Sequence, residues 1–250
     1  MVRSNWLISS TVMSALMLVS AACRPSGINY GLPAIVGTIT YYQPGGRDSA
    51  YAAVTVNGTR LVPVVAVNAE TLKLVDYTGS GEYLWNSTWR SDNLGVAPDS
   101  DCVLHVYQSD GEAHSGRQVL PRHPVISGPE IGGVFAQGRD FMVFWDGVPK
   151  INRYELTLNL DYTYNNVQQF QFDTAIVLSR TDSSVQIPAA TIFPVYVDTV
   201  NSGAGIVTLT AETGPNLGRE PSGNISGNGI GYFWTRSTDV HSFHIAGSGD

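Results

Sequence analysis

"DFMVFWDGVPKINRYELTLNLDYTYNNVQQFQF", residues 140–172, decides the fold. Tyr154, Leu156, Leu158 and Leu160 recur at every second position, with Glu155, Thr157 and Asn159 between them. Successive side chains on a strand point to opposite faces, so this stretch offers one face to a core and the other to water. A helix would need apolar residues three and four apart, and no part of the chain sustains that spacing. Asn165-Asn166 is placed to reverse the chain, because Asn tolerates the left-handed backbone that tight turns demand. The stretch is therefore a long hairpin with one buried face.

The same period of two recurs along the chain. "AYAAVTVNGTRLVPVV" (residues 50–65) sets two β-rich runs around Asn57-Gly58, and "VLHVYQSDGEAHSGRQV" (103–119) does so around Asp110-Gly111. Both are hairpin-turn pairs. Between them "TLKLVDYTGSGEYLW" (71–85) predicts two strands joined at Gly79-Ser80-Gly81. Then "LPRHPVISGPEIGG" (120–133), with Pro121, Pro124 and Pro129, interrupts both periods and predicts a domain boundary near 122–128. Later strands are expected in "SSVQIPAATIFPVYVDTV", "GIVTLTAET" and "YFWTRSTDVHSFHIAG". Many short strands with frequent turns predict an all-β protein: two tandem antiparallel β-sandwich modules, residues 31–121 and 122–250.

The second module, over residues 124–247, resembles a fibronectin type III or related immunoglobulin-like domain. The likeness lies in Pro124, Ile126 and Pro129 opening a first strand, Trp145 ending "FMVFW", Tyr154 starting "YELTL", and "VQIPA" before the core crossover. It implies that Trp145 belongs to the core. The first module, with "AVTVNGTRL" and "VLHVYQSDGEAHSG", is similar to domains of bacterial envelope lipoproteins.

The N-terminus addresses the chain to export. Arg3 supplies positive charge, Trp6 to Val19 is apolar but diluted with Ser and Thr, and Ser20-Ala21-Ala22 are the small residues a signal peptidase requires. Residues 1–22 are thus expected to be a signal peptide and 23–30 a tether. Val19-Ser20-Ala21-Ala22-Cys23 resembles a lipobox, which would make Cys23 the site of a lipid anchor; an ordinary secretory cut after Ala22 is the alternative. The other cysteine, Cys102, alternates with Leu104 and Val106 on the apolar side of a strand, which suits a lone buried thiol. The expected address is extracytoplasmic and membrane-anchored in periplasm or at the surface, or secreted if Cys23 is not lipidated.

Composition excludes one class of partner. The chain has 14 Lys and Arg against 21 Asp and Glu, and only two lysines, Lys73 and Lys150. Nucleic-acid binding needs clustered cations, so it is not expected. No HExxH or CxxC pattern is present, and His241 and His244, three apart on a strand, point to opposite faces. "SDNLGVAPDSD" places Asp92, Asn93, Asp99 and Asp101 in a loop, where oxygen donors can gather Ca²⁺, though these are also ordinary turn residues. "GNISG", "VNSGAG" and "GNGIG" fit neither a nucleophile elbow nor a phosphate loop. No cofactor is expected.

Aromatic residues are the other candidates. In "GEYLWNSTWRSDN" Tyr83 and Trp85 share a strand face, while Trp89, after Asn86-Ser87-Thr88, is expected at the surface. Exposed Trp stacks on sugar rings or anchors protein partners, and Tyr41-Tyr42 would extend such a surface. The leading expectation is a non-enzymatic exported lipoprotein working as a binding or structural module in an envelope or surface assembly. A carbohydrate-binding module using Trp85 and Trp89 is the alternative, and a hydrolase assembled from distant residues is the weaker one.

Overall fold

The computed structural model describes residues 34–42, 49–58, 62–79, 86–108, 113–165, 168–216, 223–227 and 230–247. The signal segment, Cys23, the tether, Tyr83 and Trp85 lie outside them. The strands are β1 (Ala34–Tyr42), β2 (Ser49–Asn57), β3 (Val64–Val67), β4 (Glu70–Thr71), β5 (Lys73–Thr78), β6 (Asn86–Ser91), β7 (Asp101–Tyr107) and β8 (Ala113–Val119). They continue with β9 (Val125–Gly128), β10 (Val134–Ala136), β11 (Phe141–Asp146), β12 (Arg153–Tyr164), β13 (Gln168–Ser179) and β14 (Ser184–Ile187). A single helical turn, α1 (Ala189–Ile192), precedes β15 (Val200–Thr213), β16 (Ile225–Ser226) and β17 (Ile230–Ala246).

The hairpin read from residues 140–172 forms as β12 and β13, which pair without interruption from Tyr164↔Gln168 to Arg153↔Ser179. Its tip is pinned. Asn165 takes a positive φ of 46°. Its backbone N–H donates to Thr199 O at 2.9 Å, and its Oδ1 accepts from Thr199 N at 3.2 Å.

Among the described residues the strands form three sheets. The largest runs β13-β12-β15-β17-β1-β2-β6-β5, with β10 also beside β17. Two smaller sheets, β14-β11-β9 and β16-β8-β7-β3-β4, complete the layers. Over the second half, β9, β11 and β14 face β13, β12, β15 and β17, the two-sheet arrangement of an immunoglobulin-like sandwich. Trp145 is buried there, ring edge against Tyr154 at 5.5 Å. Between the named strands the pairing is antiparallel except along one edge of β17, where β1 and β10 both run parallel to it; an isolated parallel bridge also joins Gly223 to Gly231.

β17 joins the halves. Its residues 230–238 pair with β1, while 235–245 pair with β15 on the other side. Phe233 and Ile225 pack into the first core with Ile35, Val54, Leu104 and Val106; Phe243 and Ile245 pack into the second with Phe141, Leu158 and Leu160. Phe233 and Phe243 are an even number of residues apart on one strand, so both cores lie on the same face of the large sheet. The division at residues 121/122 is therefore crossed: 225–226 and 230–238 complete the first module, and the second is inserted between β8 and β16. The physical reason is length. A 17-residue strand spans two ordinary strands end to end.

Candidate binding face

Between Phe233 and Phe243 the inward positions of β17 are polar: Thr235, Ser237, Asp239 and His241. The segment joining β8 to β9 runs along this strip. Val119 O accepts from Thr213 Oγ1 at 2.8 Å and Thr235 Oγ1 at 2.6 Å. Asp239 accepts from Ile126 N at 2.8 Å, with His123 Nε2 at 3.4 Å and His241 Nε2 at 3.5 Å from its oxygens. His241 Nδ1 lies 2.7 Å from Pro129 O. A carbonyl only accepts, so Nδ1 carries the proton. Burial would raise the Asp239 carboxyl, but the hydrogen bonds from His123 and Ile126 N–H and the charge of both histidines outweigh it and hold it below its usual range. The strip ties the linker and β9 to β17.

On the opposite face the seam is held by Glu212, only 1% exposed, which ion-pairs with Arg153 and with Arg236. Nearby Trp234 donates from Nε1 to Pro215 O at 3.1 Å and stacks on Tyr232 at 5.4 Å. These contacts make the two modules one platform. Sequence spacing did not disclose them, because Arg153, Glu212 and Arg236 are far apart in the chain. The alternating Thr235, Ser237, Asp239 and His241 between two phenylalanines is the signal that marks the inner strip.

The platform presents its outer side without a covering layer among the described residues. In the second module four rows cross it: Val177-Glu155-Thr210-Thr238, Ala175-Thr157-Thr208-Val240, Asp173-Asn159-Ile206-Ser242 and Gln171-Asp161-Ala204-His244. Asn159 Nδ2 donates to Asp173 Oδ1 at 2.7 Å. The small side chain of Ala204 leaves a shallow depression of about 260 Å³ bordered by Asn159, Asp161, Gln171, Asp173 and Ile206. Val177, Ile206 and Val240 supply exposed apolar spots. These rows carry Glu155, Asp161 and Asp173 but no Lys or Arg, so this part of the face is acidic; the next row holds Arg153 and Arg236 around Glu212.

The residues singled out by sequence fall elsewhere. Asn86-Ser87-Thr88 is not a break but the start of β6, and Trp89 follows it on the inner side. Trp89 is 6% exposed, packed in the first core, with Nε1 donating to Ser87 Oγ at 3.1 Å. It is not a stacking platform, which removes half of the motive for sugar binding. Tyr41 is likewise buried. Asp99 and Asp101 each pair with an arginine, Arg122 and Arg117, and the Arg117 hydrogen bond holds the Asp101 carboxyl low. Asp92 lies exposed near β6. Among the described residues no three His, Cys, Asp or Glu side chains are gathered so as to hold a metal ion. Cys102 is buried without a disulfide, and burial, with the neighbouring Asp101 charge, pushes its thiol up to about 12.

No protein-family model matches the chain, and no curated protein matches it either. Among solved structures it is similar to the mouse nectin-like molecule 4 ectodomain (Ig1–Ig3), at 14% identity and a TM-score of 0.23, covering 78% of this chain and 59% of that one. It is also similar to the first two immunoglobulin domains of DIP-gamma, at 11% identity and a TM-score of 0.20, covering 86% and 97%. Superpositions that loose carry no argument about function. The sandwich assignment comes from the sheet order.

Proposed function

We propose that this chain is an exported, lipid-anchored, non-enzymatic protein working as a binding module in a cell-envelope or surface assembly, with the acidic outer face of β12, β13 and β15 as its contact surface. The observation that carries the reading is that face: uncovered over the four rows from Val177 to His244, mixed in apolar and hydrogen-bonding side chains, and acidic there, with Arg153 and Arg236 engaged by Glu212 in the next row. Interfaces between separate proteins have that mixture. Its acidic rows speed encounter with a cationic partner more than they add affinity. Anchoring through Cys23 rests on the lipobox-like Val19–Cys23 and the small residues before it.

The test is a photo-crosslinking residue at Thr157, introduced in cells of the native envelope, with adducts identified by mass spectrometry. One protein adduct is expected, lost when Asp161→Lys and Asp173→Lys are combined. No adduct, or an adduct indifferent to that charge reversal, would sink the reading. Palmitate labelling checks the anchor: it should vanish in Cys23→Ala, and label that persists would refute lipidation at this residue.

A further inference from the structure

A strand at the edge of a sheet leaves a row of backbone donors and acceptors unpaired, and stable proteins defend such edges by shortness, bulges, charge or proline. Among the described residues nearly every edge here is defended. β4 and β16 are two residues long, β10 three, and β9 and β14 four. β5, at one end of the large sheet, carries Lys73 and Asp76 and a register shift between Leu74 and Asp76. β13, at the other end, has none of these devices. It runs 12 residues in unbroken register with β12, contains no Pro, Lys or Arg, and has Asp173 as its one charge.

Its inward row is unfinished as well. Phe170, Phe172, Ile176 and Leu178 are only half-buried against the second core. The facing sheet explains this: β9, β11 and β14 are four to six residues long and do not reach along the whole of β13.

We propose that β13 is a self-association edge, and that two copies of this chain pair their β13 strands antiparallel about a two-fold axis at Thr174. The axis stands perpendicular to the sheet, so like faces stay together and directly opposed residues share a face. Centred on Thr174, the pairing sets Phe172 opposite Ile176 and Phe170 opposite Leu178, which closes the half-buried row across the junction. On the outer face Asp173 opposes Ala175 and Gln171 opposes Val177, the latter 69% exposed in a single copy. A centre one residue earlier would set Asp173 against Asp173, which like-charge repulsion disfavours. This self-complementarity selects a second copy as the occupant over an unrelated strand. The product is one sheet of twice the width, and it sets the acidic faces of two copies side by side. The dimer is independent of the partner proposed above, because mass and thiol chemistry alone report it.

The experiment uses the full chain carrying Cys23→Ser, so that buried Cys102 is the other thiol present. Sedimentation and light scattering should find a dimer in the micromolar range. Thr174→Cys should be joined to its copy by a short bifunctional maleimide. Val177→Cys should not, because its copies lie about 20 Å apart in this register. Thr174→Lys, which sets two ammonium groups against each other, should weaken the dimer at least about tenfold while leaving the circular dichroism spectrum unchanged. A chain that remains monomeric at high concentration would overturn the proposal. So would a dimer that Thr174→Lys leaves intact and Thr174→Cys does not cross-link.

Discussion

The two modules bury cores of similar make-up on the same face of one sheet, yet the chain builds them differently. The second takes β9 to β15 from one continuous stretch and needs only the last part of β17 to close. The first takes β1 to β8 from its own stretch and then waits for β16 and the front of β17. Ile225 and Phe233 reach its core from the far side of the whole second module. A module boundary in sequence is therefore not a module boundary in space when one strand is long enough to serve both sides.

Truncation should break this comparison most severely. A fragment spanning residues 34–120 lacks the strand beside β1 and leaves Ile35 and Leu104 without Phe233; it should show no cooperative thermal transition by circular dichroism. A sharp transition in that fragment would make the first module self-sufficient. Next in size, Phe233→Ala and Phe243→Ala each remove a fully buried ring and should cost about 3–5 kcal/mol. Because both rings sit on one strand, each substitution should shift a single calorimetric transition. Two transitions, with only one displaced by each, would mean the modules melt apart.

Glu212→Ala comes third. It leaves Arg153 and Arg236 facing each other across the seam. Removing one member of a buried pair costs about 3–5 kcal/mol, but both guanidinium groups are partly exposed, so about 2 kcal/mol is expected, measured by denaturant unfolding. The smallest effect belongs to Asp239→Asn at neutral pH, about 1–2 kcal/mol from weakened hydrogen bonds to the linker. Its pH dependence is more telling. The Asp239 carboxyl is held low in the folded state, so its stabilisation is complete above the ordinary carboxylate pKa of about 3.9 and is lost as pH falls through the lower folded value. Stability measured from pH 5 to pH 2 should fall less steeply in Asp239→Asn than in the parent chain.

The alternation from Tyr154 to Leu160 made the strand class, the long hairpin and the burial of Trp145 legible, because a period of two is a local property. The break at Pro121 to Pro129 was equally local. What was not legible depends on contacts across the chain. Nothing in "YFWTRSTDVHSFHIAG" reveals that its front pairs with residues 34–42, since strand pairing partners leave no mark in a single sequence. Trp89 was misplaced because three polar residues before it read as a turn, while the structure makes them a strand in which Ser87 is itself buried. The acidic face was hidden for the same reason: Glu155, Asp161 and Asp173 meet only once β12 and β13 are in register.

Hydrogen exchange along β17 tests the single-platform architecture most directly. Residues 235–238 are paired on both sides, with 230–234 bound mainly to β1 and 239–245 mainly to β15. If one sheet welds the modules, the interior amides of all three segments should exchange only through global unfolding, at one common free energy. If residues 230–234 exchange through openings several kcal/mol cheaper than those of 239–245, the modules open independently and the continuous platform is refuted.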